Sequence, residues 1–359
     1  MSEEIFKEGG PHGLRPIGPD LYKMRIEIPP DSDGMIGREC PDAICSPGYF
    51  KVRIGTGVTE GQTSAYCPYC RHESSPDDFL TRSQRDYAVG QLESEAIKGI
   101  DQMIEKSLGL GSSRRKKIDA GMMSIELSYT PSKPMPVSRP IEEELRRDLT
   151  CCHCGLDHAV FGLAVWCPDC GTDIFLYHVE AELAVVRKIL TAVETRREEL
   201  GARVAARDIE NALEDVVSIF ETILKVVTRR HMRTSGVPPE QIAHRIESVI
   251  RNSYQNIASA ADTFRTHVGM ELFEGVSEDE LTHLRLAFEK RHPITHNLGI
   301  VDRKYLDRVR SGELEGREIR TSAQEVLRAI EISNSVIRRA YERLFLSERS
   351  QISGEDAAE

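Results

Sequence analysis

Positive charge, aromatic side chains and long apolar runs are all scarce in this 359-residue chain. Lys and Arg number 47 against 58 Asp and Glu, which leaves a net charge of −11. An acidic balance of that size excludes a protein coated for nonspecific nucleic-acid binding, so contact with a polyanion must come from a local patch. No stretch reaches the ~18 consecutive apolar residues of a membrane-spanning helix, and no membrane partner is expected. The opening residues, Met1 to Lys7, carry neither an apolar core nor a small-residue cleavage site. No secretion signal is therefore expected, and a cytoplasmic location is. Cysteine is present but confined: nine residues at 40, 45, 67, 70, 151, 152, 154, 167 and 170, and none beyond. In a reducing compartment, close-spaced cysteines point to metal rather than disulfides. Their absence from the second half sets an expected boundary near residue 171.

The cysteines form two quartets. Cys40-x4-Cys45 with Cys67-Pro68-Tyr69-Cys70 makes the first, and Cys151-x2-Cys154 with Cys167-Pro168-Asp169-Cys170 the second. A tight turn that presents two thiolates supplies half a tetrahedral zinc site, and two such turns complete it. Two zinc ribbons are therefore expected, each with one structural ion. Four protein ligands close the coordination sphere, so no catalytic metal is expected. Cys152 is left over; either Cys151 or Cys152 could be the ligand, and spacing favours Cys151. His72, His153 and His158 are possible substitutes that four thiolates do not need. The basic run Arg114-Arg115-Lys116-Lys117 reads as a solvated loop that could add phosphate contacts.

Periodicity supplies the rest of the layout. Short strand-like runs at Leu21 to Ile28 and Tyr49 to Ile54 belong to the cysteine half, and residues 76–108 have helical spacing. Met122 to Tyr129 alternates like a strand, and four prolines between Pro131 and Pro140 mark a linker. From Leu176 onward the apolar period is helical. Leu176 to Val193 carries one stripe, a connector or a bundle member. Ile209 to Val227 and Ile242 to Phe264 carry two more, the latter opened by Pro238-Pro239. Ser277-Glu278-Asp279-Glu280 and Ser322-Ala323-Gln324-Glu325 are capping boxes before two further helices. The expected fold class is α+β and multidomain: zinc-ribbon β modules at 16–75 and 141–175, and an all-α bundle at 206–349. Between them lie a helix, strand and Pro-rich linker at 76–140 and a connecting helix at 176–205; residues 350–359 form an acidic tail.

Chemistry concentrates in Arg291-His292-Pro293-Ile294-Thr295-His296-Asn297: a permanent cation, two imidazoles, a hydroxyl and an amide. Pro293 has no N–H to donate, so the helix that starts at Glu278 is expected to stop or kink there. A bend would let Arg291 and His296 share one cleft. His292 and His296 could also be half a metal site, but no third ligand is evident. His231, His244, His267 and His283 stand alone and read as surface or core residues.

This stretch resembles the HEPN family (higher eukaryotes and prokaryotes nucleotide-binding), an all-helical domain whose active members cleave RNA. The family signature of Arg, a polar residue, a short spacer and His is met by Arg291, His292, Pro293-Ile294-Thr295 and His296. Asn297-Leu298-Gly299-Ile300-Val301-Asp302 is similar to an extension common in bacterial relatives. The resemblance covers residues 206–349. It implies a metal-independent endoribonuclease that uses the ribose 2′-OH and leaves 2′,3′-cyclic phosphate and 5′-OH ends. Arg291 would stabilise charge on the phosphate, His296 would act as base or acid, His292 as a second such group, and Asn297 would orient His296. It further implies RNA as substrate, a homodimer formed through the helical domain, and a toxin or phage-defence setting with a possible regulatory protein. The alternative expectation is a non-catalytic adaptor whose ribbons and bundle bind nucleic acid or protein.

Overall fold

A computed structural model of the protein describes residues 15–18, 21–58, 63–110, 115–120, 123–131, 146–309 and 312–346. The fold is mixed, with small antiparallel sheets in the first half and helices in the second, and it divides into compact units at Ile174/Phe175. Arg114, the prolines of the expected linker beyond Pro131, and residues 350–359 lie outside the described residues.

In the first unit, strands β1 (Arg15–Gly18) and β2 (Leu21–Lys23) pair with each other, so the run expected to Ile28 ends early. Strands β3 (Met35–Glu39) and β4 (Tyr49–Arg53) form a hairpin around the first cysteine turn, and β5 (Ala65–Tyr66) and β6 (Glu73–Ser74) flank Cys67 and Cys70. Helix α1 (Arg82–Ser107) opens with a capping box in which Thr81 accepts from Gln84 N–H, and the Gln84 amide reaches back to Thr81 N–H. The same Gln84 donates to the Gly37 carbonyl at 2.8 Å, which ties the helix start to β3. Strands β7 (Arg115–Ala120) and β8 (Met123–Ser128) pair in register. The basic run is therefore strand over Arg115 to Lys117, with its side chains exposed, and not a loop. Last come β9 (Arg147–Thr150) and β10 (Asp157–Val160), around the second cysteine turn.

The two cysteine modules are not separate. Strand β10 pairs antiparallel with β4, Ala159 opposite Lys51, to give a single sheet ordered β3-β4-β10-β9. Contiguous sequence segments suggest independent ribbons because the β4–β10 pairing joins strands about a hundred residues apart, which local patterns do not encode. Lys51, in the middle of β4, is 2% exposed and donates to Asp31 at 2.9 Å. Phe50 packs edge-on against Phe79 with ring centroids 5.9 Å apart, and both are buried. Burying each such ring stabilises the fold by about 1.5–3 kcal/mol.

The second unit is a bundle of α2 (Phe175–Thr191), α3 (Val193–Leu200), α4 (Ala202–Thr234), α5 (Pro239–His244), α6 (Ile257–Val268), α7 (Glu278–Asn297), α8 (Arg303–Arg308) and α9 (Ala323–Phe345). The long amphipathic α4 touches α2, α6, α7 and α9. Its stripe of Leu213, Val216, Phe220, Ile223 and Val227 is buried, with Phe220 edge-on to Phe288 of α7 at 5.3 Å. Replacing Phe220 with Ala would cost about 3–5 kcal/mol. Helix α2 packs on α4 and α9, with Phe175 stacked on Tyr341 at 4.3 Å, so it is a bundle member rather than a connector. The stripe from Ile242 to Phe264 is not one helix. After α5 it passes through a π turn at Arg245–Ile250, a positive φ at Arg251 and a 3-10 turn at Ser253–Gln255, before Asn256 caps α6 by accepting from Ser259 N–H.

Candidate functional site

Local backbone geometry builds the cysteine centres. Cys67, Cys151 and Cys167 each donate their N–H to a carbonyl five residues on, at His72, Leu156 and Thr172, and each accepts from the residue four on. That closing residue has positive φ in all three turns, as Gly155, Gly171 and Arg71. The turn around Cys40 is wider, and Cys40 donates instead to Gly48. Sulfur–sulfur distances are 3.6 Å for Cys40–Cys70 and Cys45–Cys67, 3.8 Å for Cys151–Cys170 and 3.6 Å for Cys154–Cys167. Four thiolates at ~2.3 Å from one tetrahedral ion would lie ~3.8 Å apart. All eight sulfurs fit: within each quartet they lie within 4.8 Å of one another, and each group could hold a metal ion. Cys152 is exposed and outside both groups, and neither group includes a histidine. The second turns of the two modules also exchange backbone bonds. Tyr66 N–H donates to the Pro168 carbonyl, and Val165 and Trp166 both donate to the Pro68 carbonyl. With the β4–β10 pairing, the two modules meet through reciprocal strand and turn contacts.

In the second unit, Ser277 and Glu280 form the expected reciprocal cap at the start of α7. The helix does not stop at Pro293; it runs on to Asn297. Pro293 removes only one intrahelical bond, and it and Ile294 are buried in the bundle, so packing outweighs the local loss. The correction has a geometric consequence. Along a continuous helix Arg291 and His296 project ~140° apart about the axis, so one subunit does not bring them into the cleft expected from a bend. Residues four apart share faces instead. His292 and His296 lie ring to ring with centroids 5.1 Å apart, and Thr295, one turn on from Arg291, donates to Glu214 of α4 at 2.9 Å.

Each polar residue has a definite surrounding. Burial lowers the His292 pKa below the ordinary imidazole value; Lys304, His296 and Arg308 lower it further, while Asp302 pulls it upward. His296 is exposed. Asn297 donates from Nδ2 to the Ile300 carbonyl at 2.9 Å, so that bond orders the turn after α7 rather than His296. Leu298 and Gly299 both have positive φ there and both donate to the Pro293 carbonyl. Val301 is buried, and Asp302 caps α8 by accepting from Tyr305 N–H at 2.8 Å. The segment after His296 is thus explained by backbone structure. Arg291 is half-buried and donates from Nη1 to Gln255 Oε1 at 2.9 Å; its Nε is buried with no hydrogen-bond partner. Among the described residues it makes no ion pair.

Gln255 and Glu221 are the site residues that sequence patterns miss. Gln255 sits in the break of an apparently continuous stripe, and only the cluster Arg251-Asn252-Ser253 hints at that break. Compared with known proteins, the chain matches no family model, no curated protein and no solved structure. No helix among the described residues is long and apolar enough to cross a membrane.

Proposed function

We propose that this chain is a HEPN-type, metal-independent endoribonuclease whose two cysteine groups each carry a structural zinc ion. The observation that carries the reading is Arg291: a permanent cation held by a neutral amide, with no carboxylate partner among the described residues, next to the neighbouring, tilted imidazoles of His292 and His296. In the reaction the 2′-oxygen of a ribose attacks the adjacent phosphorus, the P–O2′ bond forms, and the P–O5′ bond breaks. A neutral imidazole takes the 2′-OH proton, and a protonated one supplies the leaving 5′-oxygen, contributing ~10²–10⁴ in rate. His296 fills the first role. Arg291 offers a planar donor fork to the non-bridging oxygens as charge develops there. Because Arg291 and His296 diverge on one α7, the cleft is composite, and a second copy of the chain supplies the complementary face. The zinc ions would be held by Cys40, Cys45, Cys67 and Cys70, and by Cys151, Cys154, Cys167 and Cys170; each stabilises its turns and takes no part in cleavage.

Incubating the purified protein with transfer, messenger and ribosomal RNA in magnesium-free buffer tests this, beside His296→Ala and Arg291→Ala. Cleavage to 2′,3′-cyclic phosphate ends should fall by ~10²–10⁴ for His296→Ala and by ~10²–10³ for Arg291→Ala. Cleavage that survives both changes would reject it. A second reading, a cytoplasmic adaptor that binds nucleic acid or protein without cutting, rests on the same divergence of Arg291 and His296. It requires a protein that stays monomeric or dimerises away from α7.

A further inference from the structure

Arg291 is linked to a buried carboxylate only through an intervening amide. Glu221, 8% exposed on α4, is the nearest acidic group in the chain of bonds that leads away from the guanidinium. Between them stands Gln255. Its Oε1 accepts from Arg291 Nη1 at 2.9 Å, and its Nε2 donates to Glu221 Oε2 at 2.5 Å. The other Glu221 oxygen accepts from Lys225 Nζ at 2.6 Å. The amide therefore has one allowed orientation: flipped, it would set its NH2 against the guanidinium and its oxygen against the carboxylate. Lys225 answers the charge of Glu221, and no carboxylate among the described residues answers that of Arg291.

A direct Arg–Glu pair would have been the stronger contact, bidentate and charge-assisted. The guanidinium also keeps a buried Nε–H without a hydrogen-bond partner, which ordinarily costs stability. Both features make sense if the guanidinium must be rigid but uncompensated. We propose that Gln255, locked by Glu221, is a positioning residue that aims Arg291 at a phosphate oxygen while leaving its charge available. This inference rests on the reading of Arg291 as a phosphate-binding group, and it adds the residue that sets that group's direction and effective charge.

Inorganic phosphate, titrated into the full-length protein and followed at the Arg291 side-chain Nε–H resonance, is the direct test; the resonance is assigned by its loss in Arg291→Lys. Gln255→Met, which keeps the side-chain volume, should weaken phosphate binding ~10-fold or more, since a hydrogen bond to a charged group is lost. Gln255→Glu should abolish it by pairing Arg291 with a carboxylate, although that variant can still accept the same hydrogen bond. Glu221→Gln, read the same way, guards against misfolding of either variant and should also weaken binding. Phosphate binding at wild-type strength in Gln255→Glu, or none in the wild type, overturns the proposal. RNA cleavage is scored separately. A wild type whose phosphate binding at Arg291 depends on Gln255 but which cuts no RNA sustains the positioning role and removes the nuclease; one that cuts RNA equally well with Gln255→Met does the reverse. In an active enzyme kcat/KM should fall with the histidine pH limbs unmoved, a pattern that a general packing defect would not give.

Discussion

His292 and His296 lie one turn apart on α7 with their rings 5.1 Å from centroid to centroid, and His292 is the more enclosed of the two. Burial and the neighbouring Lys304 both oppose its protonation. An NMR titration should place the His292 pKa below the ordinary ~6.5, so it is neutral at pH 7 and charges only as the pH drops through its folded value. Lys304→Gln should move that value upward by removing a cation. A His292 that titrates at or above the ordinary value contradicts this electrostatic account.

Arg291 should be dispensable for folding. Its Nε is buried without a partner, and its Nη1 bond goes to a neutral amide. Exchange for an apolar side chain of similar length, Arg291→Met, removes an unsatisfied donor and should leave the melting temperature unchanged or raised, while removing activity. A loss of more than ~2 kcal/mol in denaturant unfolding would mark Arg291 as a structural residue.

Metal analysis of the full chain should give one ion for each of the two cysteine groups. Cys152→Ser should keep both, because that thiol is exposed and outside the groups. Cys170→Ser should do more than empty its own group. The turns exchange backbone bonds through Pro68 and Pro168, so the first group should release its ion to a chelator faster as well. Structural zinc contributes ~10–16 kcal/mol of apparent folding free energy, enough for the loss of one ion to loosen the shared sheet. Unchanged chelator kinetics at the first group would show the modules to be independent.

Beneath that sheet, Asp31 and Lys51 pair at 2.9 Å with side chains 11% and 2% exposed. Burial by itself would raise the Asp31 pKa, but the Met35 N–H, the Lys51 ammonium and the Asp33 N–H together hold it below the usual carboxylate value. A depressed folded value means that the stabilisation is complete above the unfolded pKa of ~3.9 and is lost as pH falls through the folded value. Asp31→Asn leaves Lys51 buried without its partner and should destabilise the first unit by ~3–5 kcal/mol. Equal unfolding midpoints for the two proteins at pH 7 would refute this.

Much of the layout is legible in short sequence windows. The Ser277 cap and the stripes of α4 and α9 are local devices, since a serine and a glutamate three apart find each other within one turn. Pro293 shows the limit of the same logic. A local rule predicts a break, and the burial of Pro293 and Ile294 carries the helix through. The stripe from Ile242 to Phe264 fails in the opposite sense, because its periodicity survives a π turn, a positive φ at Arg251 and a 3-10 turn that no residue count reveals.

The amino-acid order alone determined the eight thiols and their grouping, for ligand pairs on tight turns are fixed by spacing. It also places a guanidinium and two imidazoles within six residues of one helix. Tertiary structure alone decided that β4 and β10 join the two cysteine modules into one sheet, and that Gln255 stands between Arg291 and Glu221. Those pairings link residues 34 to about a hundred positions apart, and their free energy comes from burial and from hydrogen bonds made only once the chain has closed on itself.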